Sequence, residues 1–307
     1  MTAPFLEAPA DGDAPVAPRF LWLDLTRNCQ LECTHCYNAS GPSGSHGDMS
    51  RENWLSVLDQ AAGYGIRLVQ MIGGEPTMHP HFAELVEHAL DVGLKVEVYS
   101  NLVHVEADCW RLLQREGVSL ATSYYGPPAQ HNSVTKRPSH ARTLTNIKRA
   151  VAKRIPLRAS VVVLDPSETG AEATAELHAL GVKDVRVDHT RPFGRAAEGR
   201  KPHTGGLCGR CGDGRASIGP DGQVSPCVFS TWIGVGNARH TPLAAILGGP
   251  EMADAQAAIR QGRGLTRSMS CGPDSPCGPD DQQPPCGPET DDECTPGYPG
   301  TECSPRN

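Results

Sequence analysis

The stretch Cys29-Gln-Leu-Glu-Cys33-Thr-His-Cys36 constrains this chain more than any other. Three thiols at offsets of four and three residues converge only from a compact loop, so the spacing points to one soft-metal site. Thiolate suits zinc and the iron of iron–sulfur clusters equally well. A structural zinc site needs a fourth Cys or His close by. His35 lies between two of the thiols, where it can hardly close the same tetrahedron, so the loop reads as a site with one position left open.

Hydrophobic periodicity around that loop alternates between two and about 3.6 residues. Strands are expected over 20–25, 66–72, 94–99, 118–124, 157–164 and 184–187. Helices are expected between them: one from an N-cap at Ser50 to about Gly63–Gly65, one through Phe82, Leu85, Val86, Ala89 and Leu90 that stops at Gly93, and others over 106–114, 141–153 and 169–180. Repeated βα units demand right-handed crossovers and a parallel sheet. Six units are too few for a closed eight-stranded barrel, so the expected α/β fold is an open, partial (β/α)6 TIM-like barrel. Function in such sheets collects at the C-terminal strand ends.

Those ends carry further signals. The second strand runs into Gly73-Gly74-Glu75-Pro76, where two glycines allow close backbone approach and Glu75 offers an acceptor for an ammonium group. By themselves these residues also fit a tight turn with a solvated Glu. Together with the Cys-x3-Cys-x2-Cys loop after the first strand, with His35 just before the last thiol, they resemble the radical S-adenosylmethionine (SAM) enzymes. The resemblance covers about 20–247 and implies a 4Fe-4S cluster on Cys29, Cys33 and Cys36, whose fourth iron chelates SAM. It further implies SAM contacts from His35, Gly73, Gly74, Glu75 and Pro76, a ribose contact from Ser100-Asn101, and a contact from Ser123. Many relatives carry Ser-x-Asp at that last position, whereas this chain has Tyr125 in place of the Asp. Tyr124 and Tyr125 are thus left between substrate-facing and packing roles. Arg158 on the fifth strand either points into the barrel, where it would pair with the SAM carboxylate, or lies at the rim, and Gly194-Arg195-Ala196 resembles a segment whose backbone pairs with adenine.

A second thiol group follows. Cys208-Gly-Arg-Cys211 precedes a hairpin signal at Asp221-Gly222, which would return Cys227 beside the first two. No His follows at zinc-like spacing, although His240 is not far along the chain; a structural zinc knuckle is the alternative. The pattern resembles the twitch/SPASM extension of the same family, which implies one auxiliary 4Fe-4S cluster. Short helices over 242–247 and 251–261 close the expected subdomain. The expected divisions are an arm over 1–18, the barrel over 19–200, the auxiliary subdomain over 201–262 and a disordered tail over 263–307.

From Cys271 onward there are eight acidic residues and one basic, leaving 27 of each sign in the rest of the chain. No basic surplus exists to neutralise phosphates, so a nucleic-acid partner is not supported. The tail holds Cys271, Cys277, Cys286, Cys294 and Cys303 but no Leu, Ile, Val, Phe or Met, so it is expected to lack a core of its own. Its thiols are either idle or ligands. Cys109 reads as a packed or surface thiol. The first 19 residues contain no apolar run, and no membrane span is expected. Reduced cysteines fit a cytoplasmic setting.

The resemblance implies reductive cleavage of SAM to a 5′-deoxyadenosyl radical that takes hydrogen from substrate. An external donor of the flavodoxin or ferredoxin type would supply the electron. The expected substrate is a ribosomally made peptide; the alternatives are a small molecule or nucleotide, as in molybdopterin formation, and a non-catalytic zinc or iron–sulfur redox module.

Overall fold

A computed structural model describes residues 19–165 and 167–262. The expected arm and tail, with the five tail cysteines, lie outside the described residues. Six parallel strands form the frame: β1 (Phe20–Asp24), β2 (Leu68–Ile72), β3 (Lys95–Tyr99), β4 (Val118–Tyr124), β5 (Leu157–Val163) and β6 (Asp184–His189). Between them run α1 (Arg51–Tyr64), α2 (Phe82–Asp91), α3 (Ala107–Leu112), α4 (Pro128–Thr135), α5 (His140–Ala152) and α6 (Ala171–Ala179). This is the open α/β barrel that the alternating pattern implies.

Local chemistry sets the helix ends. Ser50 and Asn53 exchange side-chain-to-backbone bonds at the start of α1, at 3.2 and 3.1 Å, forming a capping box. Gly65 then closes that helix in the left-handed region, at φ 92°. One helix departs from expectation. α4 has no apolar periodicity in Pro-Ala-Gln-His-Asn-Ser-Val-Thr, yet it forms with a proline at its first turn and with His131, Val134 and Thr135 buried.

Strand alternation separates two environments. Leu21, Leu23, Val69, Met71, Val96, Val98, Leu120, Val161 and Val163 face the helices and form the main core. The other face bears Trp22, Gln70, Glu97, Arg158 and Ser160, all buried, so the lumen is polar where the outer layer is not.

After β6 the chain forms β7 (Arg215–Ile218), β8 (Gln223–Ser225), β9 (Gly236–Asn237), α7 (Leu243–Leu247) and α8 (Pro250–Gly262). The expected hairpin is present, with β7 and β8 antiparallel. It also joins the barrel: β7 lies parallel to β1, giving one nine-stranded sheet in the order β6-β5-β4-β3-β2-β1-β7-β8-β9. No helix among the described residues is long and apolar enough to cross a membrane.

Candidate functional site

The loop after β1 carries the three thiols and is held from several sides. Asn28 and Gly41 form a parallel bridge that folds it back on itself. The Glu32 and Thr34 amides donate to the carbonyls of Thr135 and Val134 at 3.2 and 2.9 Å, so the end of α4 props the loop. Arg195 donates through Nε to the Cys33 carbonyl at 2.7 Å and through Nη2 to that of Ser40 at 2.8 Å. The guanidinium thereby joins the segment after β6 to the loop after β1. Gly194 makes this approach possible: a Cβ there would lie 2.2 Å from the Cys36 carbonyl oxygen, and its φ of +57° is in the left-handed region.

Cys29, Cys33 and Cys36 line one cavity together with His35, Gly73, Gly74, Asn101, Ser123, Tyr125 and His131. The Leu31 amide and Asn101 Nδ2 point at Cys29 Sγ, at 3.4 and 3.6 Å. Burial pushes both Cys29 and Cys33 up to about 12, while it pushes His35 down to about 4 with help from Arg195.

The glycines of Gly73-Gly74-Glu75-Pro76 do line the cavity, but their tightest neighbour is protein. A Cβ on Gly74 would meet the Asn28 carbonyl oxygen at 2.3 Å. The amides of Gly74 and Glu75 donate to the Thr26 and Asn28 carbonyls at 2.7 and 2.9 Å, tying the end of β2 to the thiol loop. Glu75 is fully buried beneath the cavity wall. Its carboxylate accepts from the Asn101 amide at 2.9 Å and from the Thr77 hydroxyl at 2.8 Å, and burial holds it above the usual carboxylate range. Pro76 opens the short 3-10 turn Pro76–Met78 and is buried. Ser100 is buried too, its Oγ accepting from the Leu102 amide at 3.1 Å. Neither Glu75, Pro76 nor Ser100 lines the cavity, whereas Asn101 and Ser123 do.

Arg158 is the residue expected at the SAM carboxylate. It does face the lumen, but its guanidinium is committed to Glu97, at 2.6 Å from Nη2 and 3.2 Å from Nε, and it is not part of the cavity wall. Gln70 also bonds to Glu97. A strand alternation read one strand at a time cannot show that Glu97, two strands away, claims the arginine. The cations that do line the cavity are Arg191 and Arg195, both after β6. Consecutive tyrosines take opposite faces: Tyr125 lines the cavity and its ring meets His35 at 5.1 Å, while Tyr124 packs into the outer core.

The second thiol group assembles as the hairpin implies. Cys211 and Cys227 are buried, Cys208 partly so, all in one cluster with Phe20, Trp22, Ile72 and Phe193. Cys211 sits between the other two within hydrogen-bond reach; its contact pulls Cys208 down to about 5 while both neighbours hold Cys211 well up. His240 lies beyond β9 and is exposed. Val228 and Phe229, next after Cys227, line the same cavity as the first thiol group, and Tyr37 and Phe229 meet with ring centroids 5.3 Å apart. Cys109 packs against the main core.

Both groups fit iron–sulfur clusters. Each supplies three Cys side chains, the donor type that iron–sulfur clusters take. Among the residues that line the cavity, His35 Nδ1, Tyr37 Oη and Arg191 Nε are buried without a hydrogen-bond partner in the protein.

Comparison with known proteins agrees. A family model described as the radical SAM superfamily matches residues 23–178, and one described as an iron-sulfur cluster-binding domain matches 208–277. The chain is 37% identical over 103 residues to the PqqA peptide cyclase of Methylorubrum populi, across 34% of this chain and 26% of that protein. It is 28% identical over 215 residues to the sporulation killing factor maturation protein SkfB of Bacillus subtilis, across 64% of this chain and 52% of SkfB. These alignments thus span a quarter to a half of the relatives' own lengths. In fold, the chain is similar to Streptococcus suis SuiB bound to precursor peptide SuiA. The TM-score is 0.66 at 15% identity, over 84% of this chain and 69% of SuiB.

Proposed function

This chain belongs to the radical SAM superfamily, and on that premise we propose that it modifies a ribosomally made peptide by cross-linking, epimerisation or oxidation of a side chain. Membership makes it an enzyme that takes SAM and iron–sulfur clusters. Cys29, Cys33 and Cys36 would hold the SAM-binding 4Fe-4S cluster, and Cys208, Cys211 and Cys227 an auxiliary one. When bound, the SAM-loaded cluster supplies a 5′-deoxyadenosyl radical able to take hydrogen from an unactivated carbon.

The chain's own residues supply placement. Asn101 and the Leu31 amide orient Cys29, and Arg195 fixes the loop that presents Cys33 and Cys36. Tyr125 and Phe229 wall the cavity with apolar rings, which excludes water from a reactive species. Arg191, whose guanidinium lies over Phe229 at 5.6 Å, gives the same wall a positive charge.

One observation carries the reading: a single cavity is bounded by the first thiol loop and by the residues that follow Cys227. A substrate held there lies between the two clusters. The names of the PqqA peptide cyclase and of the SkfB maturation protein, and the peptide seated on SuiB, support a peptide as that substrate. An external flavodoxin- or ferredoxin-type donor completes the scheme.

The test is anaerobic reconstitution followed by co-expression with a short peptide encoded beside this chain's gene. The expected outcome is about eight iron with matching sulfide per chain, as two 4Fe-4S clusters require, formation of 5′-deoxyadenosine, and a mass change in the peptide. Changing Cys29, Cys33 and Cys36 together to Ala should abolish both products. An unaltered peptide mass alongside active SAM cleavage would overturn the peptide assignment, and SAM cleavage by the triple variant would overturn the assignment of the first cluster.

A further inference from the structure

Two arginines line the cavity, and only one of them is hydrogen-bonded. Arg195 spends Nε and Nη2 on the carbonyls of Cys33 and Ser40. The Arg191 side chain makes no hydrogen bond and no ion pair among the described residues: its Nε is enclosed without a partner, and its Nη atoms keep access to solvent. Its position is fixed all the same. Pro192 follows it and favours an extended backbone at Arg191. The Thr190 amide donates to the Val163 carbonyl at 3.1 Å, and the Phe193 amide to that of Arg191 at 2.7 Å. The guanidinium lies over the Phe229 ring, 5.6 Å from its centroid, where both residues form the cavity wall.

Asp188 is the one carboxyl among the described residues that line the cavity, and it does not pair with this cation. It accepts from the His189 amide at 2.9 Å, and burial holds it above the usual carboxylate range even with Arg191 nearby. A half-buried guanidinium beside an aromatic ring therefore waits for an anion. A carboxylate suits it, because charge-assisted hydrogen bonds are about twice as strong as neutral ones and the fork supplies two in parallel. The charge of Arg195 falls on Cys33 and His35, that of Arg191 on Cys208, so the uncommitted cation stands toward the second thiol group. From there aromatic rings lead outward. Phe229 meets Phe193 at 5.7 Å, and Phe193 stacks at 5.2 Å on Trp232, which is 36% exposed. A wall that continues to the surface in this way suits an extended peptide better than a small free acid.

We propose that Arg191 determines specificity: its guanidinium takes a carboxylate of the peptide, from an Asp or Glu side chain or from the C-terminus, and so sets which residue is presented in the cavity. The proposal rests on the peptide reading above. A peptide with that carboxylate replaced by an amide would leave the cation unpaired in the complex, and this separates an acidic substrate from its neutral counterpart.

The experiment uses cluster-loaded enzyme with SAM and no reductant, and the peptide encoded beside the gene as probe, with affinity read by titration calorimetry. Each Asp of the peptide is changed to Asn and each Glu to Gln in turn, and its C-terminus is amidated. One of these replacements should weaken binding roughly tenfold or more, and which one it is distinguishes a side chain from the C-terminus. Arg191→Gln should weaken the unaltered peptide by a similar factor. Against that variant the same replacement should cost no more than about twofold, the non-additivity of two groups in contact. Arg191→Lys, which keeps the charge without the fork, should fall between. The peptide replacements need only the unsubstituted enzyme, so they decide even where a variant does not load iron: if none weakens binding by more than about threefold, the assignment is overturned. Additive losses overturn it too. So does unchanged peptide affinity in Arg191→Gln alongside weaker SAM binding or a shifted reduction potential of the second cluster, since the anion would then be SAM or that cluster. If the unsubstituted enzyme neither binds nor alters the peptide, the peptide reading fails first and this one falls with it.

Discussion

Arg158 and Glu97 show what a buried charge does in a polar lumen. Two charges out of water attract strongly only while both are present, and removing one strands the other. Arg158→Met is therefore expected to lower unfolding free energy by about 3–5 kcal/mol, read as a drop in the denaturant midpoint. Adding Glu97→Leu should recover part of that loss. Because Glu97 already holds the guanidinium at 2.6 Å, SAM affinity of the folded fraction should change little. A tenfold loss would restore the carboxylate role that position alone suggests. At this scale the sequence was informative where chemistry is local to one segment. The Cys29–Cys36 spacing and the two glycines before Glu75 are legible because three or four neighbouring residues make one object. The tasks of Glu75, Arg158 and Arg195 are not, because each is decided by a partner 26 to 162 residues away.

The elements follow the same division. Ser50, Gly65 and Gly93 mark helix ends, and the Asp221-Gly222 turn marks the β7–β8 hairpin, since caps and turns are written in a few adjacent residues. α4 has only Pro128 at its first turn and no apolar periodicity to follow, so the helix and His131 on it were not legible. The hairpin has a second role beyond returning Cys227: it leaves Cys211 within reach of both Cys208 and Cys227, as one of three thiols that would hold the auxiliary cluster. Cys211→Ala is expected to lower iron from about eight to about four per chain, the content of one 4Fe-4S cluster, as measured by iron and sulfide analysis. Retention of eight would place the second cluster elsewhere.

At the scale of the whole molecule, the partial barrel is not closed off at β1. β7 pairs with that strand, and Phe20 and Trp22 pack against Leu207, Cys211 and Cys227. A chain cut to residues 19–200 would leave the edge of β1 unpaired beside exposed aromatic rings, the arrangement that favours edge-to-edge association. Gel filtration of that fragment should show species of higher order than the full chain forms, and a fragment in the same state as the full chain would mean that the hairpin is dispensable to the sheet. The βα alternation made six strands readable, but a parallel pairing between residues 20 and 215 leaves no periodic trace. That pairing also has a consequence in time. The first strand leaves the ribosome about 190 residues before its second neighbour, roughly 10–40 s at ordinary rates of synthesis. During that interval the open edge must be kept from other nascent chains, so neither the sheet nor the cavity between the thiol groups can be completed until the chain has been made past Phe229.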